Sequence, residues 1–440
     1  MPEHTTPITP PAALLPNLEN LKSHAPREWK SDLSAGLTTA TLLVPQSMAY
    51  AMIAGLPPQM GLYAATLPLA AYAVFGSART LSVGPVAMDS LLTAATLAPI
   101  FAAGSAEYQS GAMALAGLVG LTLVLMSALR VGRLVRHLSD AMMSGFTSAA
   151  AVIIALSQLK HLLGVQLAGG TAAHAVLIEA AGRLREVSPL ALSVGLGSLL
   201  IFKGLPRLAP KAPAGLIGVI LATALSALFD WRALGLSTVG DIPQGLPSLS
   251  PEGLTGALAA LTGPHALTMI GGAVSVALLA FMEAMAIGKA VAARYGYEVR
   301  PGQELFALGA TNLTAALFGG YPVAGGFSRT AVNDRAGART PLASLITMVV
   351  VLLVVWRFTP ALYSLPHATL AAMIMGAVLG LIDLKAPRGW LKSDKRRAAI
   401  WAGTALVTLS LGLQLGIITG VALSVALRPR TPDPAHSTAH

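Results

Sequence analysis

The stretch "GYPVAGGFSRTAV", residues 320–332, places a permanent cation, Arg329, within a chain that is otherwise strongly apolar. Its first half has an extended character, and a pair of glycines precedes a short helical run that begins near Phe327. The stretch "LSVGPVAMDSLLTAATLAP", residues 81–99, follows the same plan, with a strand-like half that ends in Gly-Pro and a helical half from Val86. Each stretch therefore predicts a broken segment, made of a short β-like half and a half-helix.

The composition around these two stretches is typical of an all-α polytopic membrane protein. Of the 440 residues, 54% are hydrophobic and 11% are charged, and the mean hydropathy is +0.68. Apolar stretches of about 20 residues, the length that a helix needs to cross a bilayer, recur along the whole chain. The absence of cysteine excludes disulfides, thiolate metal sites and cysteine nucleophiles.

Hydropathy and helix breakers predict fourteen transmembrane segments, seven in each half of the chain. The predicted segments are 33–53, 60–76, 81–99 (broken), 110–129, 139–158, 188–202, 212–229, 266–288, 302–318, 320–338 (broken), 341–356, 366–383, 396–410 and 412–427.

The distribution of basic residues supports this topology. When both termini are placed inside, 23 of the 29 lysines and arginines fall on the inner side, as the positive-inside rule requires. The net charge of +10 then reflects orientation in the membrane, and no nucleic-acid partner is expected. We expect a multi-pass protein of the cell inner (plasma) membrane with both termini cytoplasmic. The only basic residues in predicted outer loops are Lys160, Arg183, Arg185, Arg232 and Arg357.

The two halves show traces of an internal repeat. The tripeptide "PVA" occurs in both broken segments, at Pro85–Ala87 and at Pro322–Ala324. Seven segments per half is an odd number, so the second half is inverted relative to the first. The predicted organisation is a cytoplasmic tail (1–32), a first inverted repeat (33–230), an extracellular linker (231–265), a second inverted repeat (266–427) and a cytoplasmic tail (428–440).

The inverted arrangement predicts a binding site between the two half-helices. They enter the membrane from opposite sides, so their N-termini face each other near the bilayer centre, where free N–H groups and the helix dipoles favour an anion. Arg329 adds a full positive charge there. Two alternatives remain: Arg329 pairs with Glu283 or Asp89 for structural reasons only, or it reaches back to the inner surface. The predicted substrate-binding residues at these two N-termini are Val86, Ala87, Phe327, Ser328 and Arg329.

Two other segments supply candidate residues. Glu283 lies in the middle of a predicted span, where a carboxyl group is a candidate for coupling to protons or another cation, or else a hydrogen-bonded packing residue. Gln46 and Tyr50 share a face of the first span and could donate to an anion or, equally well, hold helices together.

Other polar and small residues receive structural interpretations. Asp89 lies in the first turn of a half-helix, where an acid is expected to act as a cap. Asn333 and Asp334 are expected to be solvated. A ladder of glycines ending at Gly420 in the last span predicts close helix packing, within the chain or between protomers. The histidines lack metal-ligand spacing, so no metal or other cofactor is expected, and no hydrolase or phosphate-loop motif is present, so an enzyme is not expected.

Three motifs together resemble those of the sulfate permease family of anion transporters. They are "VPQSMAYAMIAGLPPQMGLYAA" (Val44–Ala65), "SVGPVA" (Ser82–Ala87) and "GGFSRTAVN" (Gly325–Asn333). The resemblance implies a seven-plus-seven inverted repeat like that of uracil-permease-like transporters. Segments 1–4 and 8–11 would form a mobile core, and segments 5–7 and 12–14 a gate that forms a homodimer. The family usually carries a cytoplasmic STAS domain after the last span, and we expect none in this sequence, which ends at His440.

The residues and the resemblance lead to one hypothesis about function. We expect a secondary active transporter of small anions (sulfate, bicarbonate or dicarboxylates), coupled to protons or sodium as a symporter. Alternating access would be of the elevator type, with the anion held between the two half-helices and Glu283 as the coupling residue. An anion channel or an uncoupled anion exchanger on the same fold is the alternative.

Overall fold

A computed structural model describes Asn17 and residues 28–131, 139–167, 173–209 and 212–427. The predicted tails lie outside the described residues at 1–27, Asn17 excepted, and at 428–440. The described chain is mainly helical, with two strands of two residues each. In chain order the elements are α1 (Glu28–Ile53), α2 (Pro58–Ala64), α3 (Leu67–Phe75), β1 (Val83–Gly84), α4 (Ala87–Leu97), α5 (Ala106–Ala128), α6 (Asp140–Ser157), α7 (Leu159–Leu163), α8 (Ala173–Gly182), α9 (Pro189–Leu208), α10 (Ala214–Leu228), α11 (Glu252–Ala260), α12 (Ala266–Tyr295), α13 (Pro301–Leu317), β2 (Ala324–Gly325), α14 (Phe327–Arg335), α15 (Leu342–Leu353), α16 (His367–Val378), α17 (Lys385–Ser393), α18 (Lys395–Leu411) and α19 (Leu413–Ala426).

Every predicted segment contains at least one helix, which confirms the prediction of a helical membrane protein. By length and composition alone, six helical stretches among the described residues are long and apolar enough to cross a bilayer. The count of fourteen crossings and the seven-plus-seven repeat stay predictions. The six stretches are Ala106–Ala128, Asp140–Leu163, Pro189–Leu208, Ala266–Tyr295, Leu342–Leu362 and His367–Ser393.

Two predicted segments differ in detail from the helices observed. The predicted segment 60–76 is divided between α2 and α3, because Thr66 leaves the helical conformation and Pro68 opens the new helix at its first turn. The predicted segment 341–356 begins as α15 and then continues as a π turn and a 3₁₀ turn as far as Leu362. Hydropathy reports only the length of an apolar segment, so it does not detect a helix break or a change from α-helical to π or 3₁₀ conformation.

The two broken segments cross each other through their extended halves. β1 and β2 form an antiparallel pair in which Val83 lies opposite Gly325 and Gly84 lies opposite Ala324. The strand-then-helix plan of both segments is confirmed. The pairing itself was not anticipated, although it has a simple cause: inside a membrane, an extended backbone must find its hydrogen bonds within the protein.

Side chains complete the hydrogen bonding around this crossing. The side-chain amide of Asn312 in α13 donates to the carbonyl of Val323 (3.0 Å) and accepts from the N–H of the same residue (2.9 Å). The N–H of Ser82 donates to the hydroxyl of Thr330 in α14 (3.0 Å). The backbone on both sides of the strand pair is thereby fixed.

The predicted linker and the glycine ladder both pack within the chain. The linker contains α11, which lies against α5, where a Cβ on Gly117 would come within 2.8 Å of the Cβ of Ala257. In α19, Gly416 faces Thr408 of α18, and Gly420 faces Met142 of α6. These two glycines therefore allow close approach between helices of the same chain.

Candidate functional site

The two half-helices α4 and α14 both begin at the strand pair. Their first intrahelical hydrogen bonds run from Ser90 N to Val86 O (3.0 Å) and from Thr330 N to Gly326 O (2.9 Å). The backbone N–H groups of the residues before Ser90 and Thr330 are therefore not used by their own helices. Two N-termini that start from one buried strand pair form a region of partial positive charge, which suits an anion.

Arg329 connects the beginnings of the two half-helices. The residue is 1% exposed, and its Nη1 donates to the carbonyl of Pro85 (2.6 Å), directly before α4. Its Nε and Nη2 have no hydrogen-bond partner among the described residues. No described carboxylate lies within salt-bridge distance, so the alternative in which Arg329 pairs with Glu283 or Asp89 is wrong for this conformation.

This arrangement leaves a buried cation without a salt-bridge partner among the described residues. A mid-membrane arginine costs about 2.5 kcal/mol or more unless it is compensated. The unpartnered nitrogens Nε and Nη2 share one edge of the guanidinium, and their N–H groups match the geometry of an oxyanion, which can accept from both nitrogens. The site is therefore organised to receive a negatively charged oxygen ligand.

Glycines allow the guanidinium to approach the strand pair. A Cβ built on Gly326 would lie 2.7 Å from Cζ of Arg329, and one on Gly84 would lie 3.4 Å from its Nη2. The side chain of Arg329 thus folds back over the start of its own helix. The glycines that interrupt both sequence stretches therefore leave space for the guanidinium of Arg329, and they also allow the backbone to turn from strand to helix.

Glu283 lies beside the crossing. Its neighbour in α12, Ala284, contacts Gly325, where a Cβ would be 3.3 Å from the Cα of Ala284. Glu283 is 0% exposed, and neither of its carboxylate oxygens has a hydrogen-bond partner among the described residues. Its charge is close enough to interact with those of Arg329 and Asp89. It is therefore not the hydrogen-bonded packing residue that was its structural alternative.

The first helix contributes Gln46 and Tyr50. Leu43 of α1 lies 3.4 Å from the position that a Cβ on Gly84 would occupy, which places α1 against β1. Both Gln46 and Tyr50 are buried, and Oε1 of Gln46 has no partner among the described residues. Tyr50 is within electrostatic range of Arg329 and Glu283. The structure therefore brings Tyr50, Glu283 and Arg329 together.

The remaining predicted residues lie at the two helix starts. Ala87 is buried and Val86 is half-buried, at the beginning of α4. Phe327 is 41% exposed and Ser328 is also exposed, unlike Arg329 beside them. Because their side chains are exposed, Phe327 and Ser328 can contribute only their backbone N–H groups to the buried side of the site.

Asp89 does not act as a helix cap, which corrects the sequence prediction. It is 0% exposed in the first turn of α4, and neither Oδ1 nor Oδ2 has a hydrogen-bond partner among the described residues. Val86 occupies the N-cap position with no side-chain cap hydrogen bond. Asp89 is therefore a third buried ionisable group at the crossing, beside Arg329 and Glu283.

Asn333 and Asp334 are not solvated, contrary to the prediction. Asn333 is buried, and its Nδ2 donates to the carbonyl of Thr80 (2.9 Å). Asp334 accepts from Nη1 of Arg294 (2.8 Å) and from the hydroxyl of Tyr295 (2.5 Å). Position along the half-helix could not reveal these partners, because they come from segments distant in sequence.

Sequence reasoning also missed Tyr321. Its hydroxyl lies 3.0 Å from Oγ of Ser90, so it joins the start of the second broken segment to the first half-helix. The side chain is fully buried and within electrostatic range of Arg329, Tyr50 and Asp89. The sequence does offer one signal for Tyr321, because this residue directly precedes the repeated Pro-Val-Ala tripeptide of the second broken segment.

A cavity of about 710 Å³ leads along the second half-helix. It is lined by Thr38 and Leu42 of α1, by Val332 and Arg335 of α14, and by residues 212–216 at the start of α10. It therefore separates helices of the predicted core from a helix of the predicted gate. The lining residue Arg335 belongs to the basic residues that the sequence assigns to the inner side.

Comparison with protein families identifies related proteins. The profile of the Sulfate permease family matches residues 29–404. "Sulfate transporter 4.1, chloroplastic" of Arabidopsis thaliana is 37% identical over 407 residues, which cover 90% of this chain and 58% of the relative. A "probable sulfate transporter" of Mycobacterium tuberculosis is 37% identical over 418 residues, covering 94% of this chain and 72% of the relative. This chain thus spans 58% of the length of the plant protein.

Solved structures show the same architecture. The inward-facing murine solute carrier 26 family member A9, described as an anion transporter, superposes with a TM-score of 0.87 at 26% identity, over 97% of this chain and 73% of that one. The transmembrane domain of the cyanobacterial bicarbonate transporter BicA superposes with a TM-score of 0.77 at 24% identity, over 90% of this chain and 98% of that one. The second likeness concerns the fold alone.

Proposed function

This chain belongs to the sulfate permease family, and on that premise we propose that it is a secondary active transporter of small oxyanions. Sulfate is the first candidate, because the relatives that match over most of this chain are named sulfate transporters. Bicarbonate and dicarboxylates are the other members of the class. The observation that carries the proposal is the guanidinium of Arg329, which is buried at the crossing of the half-helices and has two nitrogen atoms without a partner in the described part of the chain.

The proposed binding mode uses three kinds of donor. The guanidinium of Arg329 supplies charge-assisted hydrogen bonds through Nε and Nη2. The N–H groups at the starts of α4 (Val86, Ala87) and α14 (Phe327, Ser328) supply neutral donors reinforced by the helix dipoles. The side-chain amide of Gln46 and the hydroxyl of Tyr50 would complete the contacts from α1.

Glu283 is the proposed coupling residue. A buried carboxylate without a donor is unstable as an anion, so it takes up a proton or binds a cation. Because its charge interacts with that of Arg329, occupation of Glu283 and occupation of the anion site influence each other. Such mutual dependence is what symport with H⁺ or Na⁺ requires.

The proposed movement is elevator-type alternating access, in which the anion site opens in turn to each side of the membrane. The cavity of about 710 Å³ opens between α1 and α14 on one side and α10 on the other. The likeness to an inward-facing structure agrees with a state that is open to the cytoplasm. We propose that the core carries the anion past the gate, that the gate forms a homodimer, and that both termini are cytoplasmic in the inner membrane.

The test is uptake into proteoliposomes. Counterflow of radiolabelled sulfate, measured against unlabelled sulfate, bicarbonate, chloride, nitrate and C4-dicarboxylates, should show saturable exchange with the preferred oxyanion. An inward H⁺ or Na⁺ gradient should then drive accumulation above equilibrium. Large unitary currents would instead establish an anion channel, and exchange that neither gradient can drive uphill would establish an uncoupled exchanger.

A further inference from the structure

Asp89 is the ionisable group at the crossing to which the proposed mechanism gives no role. Its helix, α4, packs along α12, the helix that carries Glu283. Asp89 and Glu283 are both fully buried, and all four of their carboxylate oxygens lack a hydrogen-bond partner among the described residues. The two carboxyl groups therefore lie in the same buried region, and neither receives a hydrogen bond from a described residue.

The hydroxyl groups nearest in sequence to Asp89 are directed elsewhere. Oγ1 of Thr93 donates to the backbone carbonyl of Asp89 (2.8 Å). Oγ of Ser90 donates to the carbonyl of Val86 (2.8 Å) and lies 3.0 Å from the hydroxyl of Tyr321. These contacts leave the Asp89 carboxylate without a neutral donor in the described part of the chain, so it remains available for a proton.

The charge balance of the site also requires protons. The titratable or charged groups that face the two carboxyls are Arg329 from α14, Tyr321 from the segment before β2, and Tyr50 from α1. With both carboxyls ionised, the site is already negative, and an incoming dianion would be repelled. With both protonated, Arg329 is the only charged group among the described residues at the crossing that the dianion meets.

We propose that Asp89 and Glu283 form a carboxyl pair that carries two protons with each transported dianion. The inference rests on the proposed function, because it specifies the coupling ion and its stoichiometry at that same site. Two protons and one dianion carry no net charge, so transport by the wild-type protein is electroneutral. Removal of either carboxyl leaves one proton for each dianion, and the cycle then moves net negative charge.

The experiment measures sulfate accumulation in proteoliposomes, with the membrane potential clamped at zero and a pH difference of about one unit. Each coupled proton multiplies the accumulation ratio at equilibrium about tenfold. We expect a ratio near a hundredfold for the wild-type protein and about tenfold for Asp89→Asn. When the membrane potential is varied instead of clamped, transport by Asp89→Asn should depend on it. Asp334→Asn is the matched control, because Asp334 lies in the other half-helix and is paired with Arg294. It should keep the wild-type ratio.

The outcomes separate this inference from the proposed function. If the wild-type protein accumulates sulfate and Asp89→Asn reaches the same ratio, the carboxyl pair is refuted while coupled transport stands. If the wild-type protein accumulates no sulfate in response to a pH or Na⁺ gradient, coupled transport itself fails.

A second measurement covers the case in which Asp89→Asn does not fold. Proton uptake on sulfate binding is measured with a pH indicator at a pH high enough to ionise both carboxyls in the empty site, using detergent-purified wild-type and Glu283→Gln proteins. We expect two protons per bound sulfate for the wild-type protein and one, held by Asp89, for Glu283→Gln. No proton uptake by Glu283→Gln would overturn the inference.

Discussion

At the scale of single residues, the main feature of this protein is a buried arginine that its own chain satisfies only in part. Nη1 of Arg329 donates to the carbonyl of Pro85, and Nε and Nη2 have no partner among the residues that the structure describes. The position of the guanidinium depends on Gly326, since any side chain there would meet it. Anion affinity and the small size of residue 326 should therefore be linked.

Replacement of Gly326 by alanine tests this link. The new Cβ would lie 2.7 Å from Cζ of Arg329, so the guanidinium must move. The backbone of Gly326 (φ −99°, ψ 121°) is accessible to alanine, so stability should change little. We expect sulfate affinity, measured by calorimetry on the purified protein, to fall about tenfold with a loss of less than ~1 kcal/mol in stability.

Gly271→Ala is the control, because a Cβ there would have no neighbour within 4 Å among the described residues outside its own helix. Unchanged sulfate affinity in Gly326→Ala would show that the guanidinium does not bind the anion from this position.

The sequence predicted a large part of the candidate site, for physical reasons. Charged residues are rare in membrane segments, so Arg329 and Glu283 were identified by their presence alone. Asp89 was misassigned because an acid in a first helical turn has a common capping role. Only the three-dimensional contacts show that its oxygens are buried without a donor from any described residue. The burial of Asn333 was likewise not predicted, because its partner Thr80 is remote in sequence and only the three-dimensional structure brings the two together.

At the scale of elements, the crossing of the broken segments is the central construction. Hydropathy and breakers predicted the strand halves and half-helices, because glycine and proline act locally. The antiparallel pairing of β1 with β2 depends on segments more than 200 residues apart, and no local pattern specifies it. The same holds for Asn312, which binds both backbone groups of Val323 from another helix.

Asn312→Leu tests the support that α13 gives to the crossing. The substitution leaves the N–H and C=O of Val323 buried without partners, at a cost of about 1–3 kcal/mol for each group. We expect a clear fall in the melting temperature of the detergent-purified protein, together with loss of sulfate counterflow.

Thr314→Val, in the same helix, removes only a hydroxyl that bonds to its own helix at Ala310, so it should melt within a few degrees of the wild-type protein. Equal melting temperatures for Asn312→Leu and the wild-type protein would show that the crossing does not need this support.

At the scale of the whole molecule, the proposed transport cycle requires the core to slide past the gate. In the present conformation α1 of the predicted core contacts α10 of the predicted gate, where a Cβ on Gly215 would lie 3.4 Å from Cδ1 of Leu42. The cavity of about 710 Å³ lies beside this contact. The absence of cysteine from the chain allows paired cysteines to be introduced without background.

A reversible cross-link between Leu42→Cys and Gly215→Cys tests the movement. Joining these residues with a short bis-methanethiosulfonate reagent should hold the core against the gate and stop sulfate counterflow, and reduction should restore it. The two single-cysteine variants, treated in the same way, should keep their activity. Full counterflow in the cross-linked double variant would contradict relative movement of these two helices.

The most direct test of the central claim is the binding of sulfate to purified Arg329→Ala protein, measured by isothermal titration calorimetry beside the wild-type protein. Hydrogen bonds to a charged group contribute about 1.5–3 kcal/mol, so we predict affinity at least tenfold weaker in Arg329→Ala. Arg300→Ala removes an exposed arginine of equal charge and should bind as the wild-type protein does. Wild-type affinity in a folded Arg329→Ala protein would contradict the claim that this arginine holds the anion.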